Sequence, residues 1–171
     1  MCQTGDIILI EQYKIEDKIV GRHSFVVLKD DGGEIVGIDF DFIALAMGST
    51  KSEEHRKRKL SYPANFPIVP EDVSVKGGND LKAYVKAEQF FYFQKENLDY
   101  EVIGYMKDEI LELLIEFIQE MKVPIVRVVD NLKRKEIESK KQDLSKLPEI
   151  DRKGKDLSED IETEDPNKDN T

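Results

Sequence analysis

The sequence predicts a mainly β domain of the α+β class that ends in one amphipathic helix. Two observations lead to this prediction. Short apolar runs separated by glycine, proline and acidic turns fill residues 5–105, which is typical of strands. The apolar period then changes to three and four residues over 108–122, which is typical of a helix with one buried face. About 130 residues precede a segment without aromatic side chains, and that length is ample for one core.

The first forty residues predict a succession of short strands. Residues 6–11 form the first strand, 13–17 are expected to be a polar loop, and the continuous apolar run at 24–29 fits a central strand. Residues 30–33 predict a hairpin turn, because Asp-Gly steps accept the positive φ that tight hairpins need. Residues 34–40 are expected to return as the partner strand of that hairpin.

The middle of the chain predicts more strands around one short basic helix. Residues 51–60 contain good helix formers after a Ser/Thr start. The three prolines of 61–70 favour an extended loop with one short edge strand. The other expected features are an extended segment at 41–47, a turn at 77–80, strands at 81–87 and 100–105, and an aromatic cluster at 90–93 in the core or at a dimer interface.

The amphipathic helix is the most regular pattern in the sequence. Asp108 is the expected N-cap and Pro124 marks the end of the helix. The face toward the sheet is predicted to carry Ile110, Leu113, Leu114, Phe117, Ile118 and Met121, opposite a stripe of glutamates.

Composition divides the chain into three parts. Residues 1–122 are expected to form the domain, and 123–147 a charged extension that is helical in part. Whether 123–132 form a strand or a helix stays open. Residues 148–171 consist of polar and charged residues that cannot build a core, so we expect an acidic disordered tail.

The formal net charge of −10 argues against binding nucleic acid through bulk charge. The charge balance is reversed locally, since residues 51–59 contain five basic and two acidic residues. Such a basic segment can bind phosphate. A single cysteine, the absence of a basic region before a long apolar run in the first ten residues, and the lack of a segment of about 20 apolar residues predict a cytoplasmic protein without a membrane anchor. With only two histidines and no cysteine pair, neither a metal nor another cofactor is expected.

Common catalytic motifs are missing from the sequence. Residues 48–51 (Gly-Ser-Thr-Lys) resemble a phosphate-binding loop superficially, but the order is wrong and its first glycine is absent. There is no GxGxxG, HExxH or GxSxG motif, so a nucleotide-hydrolysing, zinc-protease or α/β-hydrolase function has no support.

Two polar clusters at strand ends remain as the candidate site. Arg22-His23-Ser24 opens one predicted strand, and Ser49-Thr50-Lys51 follows another. Cleavage of RNA at its own 2′-hydroxyl needs a base, a donor or cation for the pentavalent phosphorane, and an acid for the 5′-oxygen. Histidine, arginine, lysine and hydroxyl groups supply all three, and the pKa of an unperturbed histidine is the one nearest neutral pH.

These clusters and their surroundings resemble the PemK/MazF family of toxin endoribonucleases over residues 4–122. The resemblance lies in Gly5-Asp6-Ile7-Ile8, in Gly21 through Leu28, in a strand ending at Ser49-Thr50, and in the later amphipathic helix. Residues 59–66 and 84–89 are similar to a PemK-like branch of Gram-positive bacteria. The resemblance implies a small, curved SH3-like β-barrel of the PemK/MazF/CcdB type. It also implies a homodimer that cuts single-stranded mRNA without metal, and a cognate antitoxin.

Carried over by position, the family's arginine-proline pair falls on His23-Ser24 or, one residue earlier, on Arg22-His23. The proline is absent here. The family's Ser/Thr at the end of the following strand falls on Ser49 or Thr50. We therefore hypothesise that His23 is the general acid or base, that Arg22 and Lys51 stabilise the phosphorane, and that Ser49 and Thr50 donate hydrogen bonds to it. The residues expected to contact the RNA are Ser24, Arg56, Lys57 and Lys59.

Two questions stay open at this point. A protein antitoxin is expected, although Ser49-Thr50-Lys51 also resembles the active-site strand of ToxN-like toxins, which pair with an RNA antitoxin. The alternative function is a non-catalytic barrel that acts on a protein target, as the related CcdB toxins act on gyrase.

Overall fold

The computed structural model describes residues 1–15 and 18–129. A nine-stranded, strongly curled sheet dominates this part of the chain, together with two short two-stranded hairpins and two α-helices. The strands are β1 (Asp6–Ile10), β2 (Tyr13–Ile15), β3 (Lys18–Val20), β4 (His23–Lys29), β5 (Gly33–Ile35), β6 (Ile38–Phe40), β7 (Phe42–Thr50), β8 (Asn65–Ile68), β9 (Val73–Val75), β10 (Lys82–Lys86), β11 (Gln89–Phe93), β12 (Tyr100–Met106) and β13 (Val126–Val128). The helices are α1 (Glu53–Leu60) and α2 (Asp108–Glu120).

The long strand β7 organises the sheet. One edge of β7 pairs with β4, and the sheet continues through β1 and β12 to β9. The other edge pairs first with β11 and then, over its last residues, with β10. The pairings are antiparallel except that of β13, which joins β11 in parallel. The prediction of a mainly β, α+β domain is confirmed as a half-barrel of antiparallel strands with two helices.

The sheet is apolar on both faces because successive strand residues point to opposite sides. On one face Phe25, Val27 and Ala46 pack with the aromatic side chains of β11. On the other face Val26 and Leu45 pack in a cluster that α2 completes with Leu111 and Leu114. Strand β4 is therefore buried on both sides, as predicted for 24–29.

Three local predictions are wrong. The expected loop at 13–17 contains β2, because Tyr13 and Ile15 bury their side chains while Lys14 points outward. The expected single strand at 34–40 is the small hairpin of β5 and β6, which turns at Val36 and Gly37 with φ of 54° and 73°. The partner of β4 is thus β7.

The predicted cap of the last helix is also wrong by one residue. Lys107 is the N-cap, and Asp108 and Glu109 lie in the first turn. Carboxylates there interact favourably with the positive end of the helix dipole. The helix itself is confirmed, and five of the six predicted residues pack toward the sheet: Ile110, Leu114, Phe117, Ile118 and Met121. Leu113 was wrongly assigned to this face, since it is 51% exposed and Leu111 is buried instead.

Other predicted elements are confirmed. Helix α1 lies within 51–60, β8 is an edge strand that pairs only with β10 in the sheet, and the side chains of Phe91 and Phe93 are buried in the core. The open choice at 123–132 is resolved for Val126–Val128, which forms a strand, so the sheet extends past residue 122. Residues 130–147 of the charged extension predicted at 123–147, and the tail predicted at 148–171, lie outside the described residues. Neither helix in the described part of the chain is long and apolar enough to cross a membrane.

Candidate functional site

A groove of about 380 Å³ opens where β4 begins and β7 ends. Its buried members are apolar, and its exposed members include Arg22, Ser49 and Leu81. The lining residues are Ile7, Leu9, Arg22, His23, Ser24, Met47, Gly48, Ser49, Val73, Val75, Gly78, Asn79, Leu81, Ala83 and Ile103. The groove therefore combines apolar walls with hydroxyl, guanidinium and amide groups.

Strand pairing brings the two predicted polar clusters together. Strands β4 and β7 are antiparallel, and Ser24 pairs with Met47. The start of β4 therefore lies beside the end of β7, although about 25 residues separate them in the chain. On its other edge β4 pairs with β1, where Leu9 is opposite Ser24. Arg22, His23, Ser24 and Ser49 all border the same groove.

The pleat of β4 separates the side chains of His23 and Ser24. The His23 ring packs edge-on against Phe25, with ring centroids 5.6 Å apart, and its Nε2 atom is buried. Phe25 belongs to the core cluster on the face opposite the groove. Ser24 shares its face with Val26, since residues two apart in a strand point the same way. His23 thus borders the groove with its ring turned to the other face.

Arg22 presents an accessible cation at the edge of the groove. Its Nε atom lies 3.5 Å from Oε1 of Glu11, and the two side chains are 66% and 53% exposed. An exposed pair of this kind contributes at most about 1 kcal/mol. An anionic ligand can therefore displace Glu11 at low cost.

The remaining members of the second cluster have other surroundings. Thr50 is buried, and its Oγ1 donates a hydrogen bond to the Lys82 carbonyl at 3.1 Å. The backbone N–H of Lys51 donates to Nδ1 of His55 at 3.5 Å, and Lys51 is exposed. Of the Ser49-Thr50-Lys51 cluster, Ser49 is the residue that borders the groove.

Helix α1 carries the three basic residues predicted to contact RNA. Ser52 caps the helix by accepting the His55 N–H. The Arg56 Nη1 donates to the carbonyls of Ile68 and Ala83, at 3.3 and 3.1 Å, and so ties the helix to β8 and β10.

The other two basic residues of α1 differ in their contacts. Lys59 Nζ lies 5.7 Å from the centroid of the Tyr84 ring, a cation–π distance. Lys57 is exposed. None of these three residues lines the described groove.

Gly48 is a groove residue that sequence reasoning missed. A Cβ atom there would lie 2.5 Å from Cζ and from the hydroxyl oxygen of Tyr84, which is fully buried opposite it on β10. Only glycine allows this close approach. The signal in the sequence was a glycine inside an otherwise apolar strand.

A scan against models of known protein families finds no match, and no curated protein matches this sequence. Among residues 1–15 and 18–129, no group of three or more His, Cys, Asp or Glu side chains is arranged to hold a metal ion. The functional conclusion therefore depends on the residues of the groove.

Proposed function

We propose that this chain is a toxin of the PemK/MazF type that cleaves single-stranded mRNA without metal, leaving 2′,3′-cyclic phosphate and 5′-hydroxyl ends. The single observation that supports it most is the meeting of Arg22, Ser24 and Ser49 at one groove, on the paired ends of β4 and β7. A cation beside two hydroxyl donors suits a phosphate that gains negative charge.

The reaction assigns a role to each of these groups. The 2′-hydroxyl oxygen bonds to phosphorus as its proton leaves, and the bond from phosphorus to the 5′-oxygen breaks as that oxygen is protonated. Between these events the phosphorane carries extra negative charge. Arg22 offers a planar fork of N–H donors to its oxygens, and Ser24 and Ser49 donate hydroxyl hydrogen bonds.

His23 is proposed as the general acid or base because it borders the groove beside Arg22. Its ring packs edge-on against Phe25 on the opposite face, so this role requires the ring to turn toward the groove when RNA binds. We expect the pH profile of kcat/KM to be bell-shaped in the wild-type protein and to lose one limb in His23→Ala. An unchanged profile would exclude this role for His23.

The biological setting belongs to the same proposal. The toxin acts in the cytoplasm as a homodimer, and a cognate antitoxin, a protein rather than an RNA, covers the groove. Two results would support this arrangement: a protein antitoxin copurifies with the wild-type toxin, and it no longer copurifies with the variant that combines Arg22→Ala and Ser49→Ala.

The experiment incubates the purified protein with long single-stranded RNA in EDTA and maps the 5′ ends. We expect discrete cuts, with kcat/KM lowered about 100-fold or more in Arg22→Ala and Ser49→Ala. Lys122→Ala removes an exposed charge outside the groove and should cleave normally. Intact RNA together with retained growth inhibition would overturn the proposal and favour a protein target.

A further inference from the structure

The loop between β9 and β10 forms one side of the groove. Gly78, Asn79 and Leu81 from this loop border the cavity. Gly77 and Gly78 have φ of +80° and +81°, a conformation that other residues rarely adopt. The Gly78 N–H donates to the Val75 carbonyl at 3.0 Å and so ties the loop to β9. The loop therefore presents its polar residue from a defined backbone.

The amide of Asn79 has a defined orientation. Its Oδ1 accepts a hydrogen bond from the backbone N–H of Leu81 at 3.1 Å. Because a backbone N–H requires an acceptor, this contact fixes which end of the carboxamide is oxygen and which is nitrogen. The Nδ2 group then carries two donor hydrogens, and Asn79 borders the cavity.

Apolar side chains surround Asn79 in the groove. Leu81 is 48% exposed beside it and offers an accessible apolar side chain. Val75, Ile103 and Leu9 are half-buried and also border the cavity. Apolar walls with a few polar groups that fix the orientation of a ligand are typical of small-molecule binding sites.

We propose that a base adjoining the scissile phosphate packs against these apolar side chains, and that Asn79 selects it by donating from Nδ2 to a carbonyl oxygen. The selected oxygen is O4 of uracil or O6 of guanine, where cytosine and adenine carry an amino group instead. This inference rests on the proposed ribonuclease function and adds its sequence preference. We expect uracil and guanine to be favoured about tenfold at one position next to the cut.

The test compares base profiles of cleavage for the full-length protein and Asn79→Asp on an RNA library of random sequence, in EDTA. Aspartate keeps an oxygen for the Leu81 N–H and replaces the donor by an acceptor. The preference should therefore move about tenfold toward cytosine and adenine. The added charge lowers cleavage of every sequence alike and cancels in the ratio. Asp80→Asn, at the exposed neighbouring residue, is the matched control and should leave the profile unchanged.

A second measurement keeps the outcome clear if the variant loses activity. The wild-type protein is given RNA in which the selected base is 2-pyrimidinone, which lacks O4, or 2-aminopurine, which lacks O6. Cleavage should fall about tenfold. If wild-type protein cuts RNA, and neither the variant nor the modified base changes the preference, Asn79 does not select the base. If wild-type protein cuts no RNA, the proposed function fails and this inference with it.

Discussion

At the scale of single residues, the proposed function makes Glu11 a competitor of the RNA phosphate for Arg22. The carboxylate lies 3.5 Å from the guanidinium at the edge of the groove, and an RNA phosphate has the same charge as the group it must displace. We expect Glu11→Gln to tighten RNA binding by about 1.4- to fivefold, because exposed pairs contribute about 0.2–1 kcal/mol. Fluorescence anisotropy at low salt measures this, with exposed Glu34→Gln on β5 as control. Unchanged or weaker binding would show that Arg22 does not contact phosphate.

Gly48 provides a test of how tightly β7 and β10 approach. In Gly48→Ala the new methyl group would meet the Tyr84 ring at 2.5 Å, so the two strands must separate. Such overpacking lowers the free energy of unfolding by about 1–3 kcal/mol. Gly21→Ala is the matched control, because no atom lies within 4 Å of its Cβ. Urea denaturation of both variants should show a loss for Gly48 alone, and equal midpoints would contradict the packing described.

The candidate residues could be predicted from the sequence, but their orientation could not. Polar residues before an apolar strand mark Arg22, His23 and Ser24 as a strand end. Which of them faces the groove depends on the pleat, and a shift of one residue reverses it. The structure places the Ser24 side chain on the groove face and turns the His23 ring onto Phe25. Asn79 was identified only as part of a turn, since the pairing of its side chain depends on the loop conformation.

At the scale of elements, helix α1 combines a structural arginine with an exposed lysine. Arg56→Ala removes a donor from two carbonyls and should lower the free energy of unfolding by about 1–3 kcal/mol. Lys57→Ala should leave that free energy unchanged and reduce the slope of log K against log salt by about 0.7, the value for one phosphate contact with a single strand. Thermal unfolding and RNA titration at several salt concentrations measure the two effects. If Lys57→Ala leaves the slope of log K against log salt unchanged, α1 does not contact the RNA backbone through this lysine.

The elements that were mispredicted are those with short apolar stretches. Strand β2 has only three residues, and the two that are buried, Tyr13 and Ile15, alternate with a lysine. Three residues are too few to distinguish a strand from a loop by their period. The hairpin of β5 and β6 was missed because Val36 has φ of 54°, a conformation that a β-branched residue rarely adopts. By contrast, α2 repeats its pattern over several turns and was predicted well.

At the scale of the whole molecule, two buried titratable groups, Cys2 and Tyr92, and the partly buried Tyr100 predict a loss of stability in alkali. Burial raises the pKa of the Tyr92 hydroxyl, the Tyr100 hydroxyl and the Cys2 thiol. In each case burial is the largest of the effects on the pKa. Each protonated form is thus favoured by folding. Its stabilisation is complete below the unfolded pKa, near 9.0 for the thiol and 10.0 for the phenols, and is lost as pH rises through the raised folded pKa.

We therefore expect the urea midpoint to fall above about pH 9. Tyr92→Phe removes one of these groups and should make the decline shallower. Urea titrations from pH 7 to 11 measure it, on protein kept reduced. A midpoint that stays constant to pH 11 would contradict the burial of these groups.

The proposed groove chemistry cleaves RNA through the substrate's own 2′-hydroxyl. Its most direct test is cleavage, in EDTA, of a single-stranded RNA carrying one 2′-deoxynucleotide on the 5′ side of the mapped cut. We predict that the all-RNA strand is cut there to a 2′,3′-cyclic phosphate and a 5′-hydroxyl, while the substituted strand stays intact at that bond and is cut elsewhere as before. Cleavage of the substituted bond, or intact all-RNA substrate, would contradict the account.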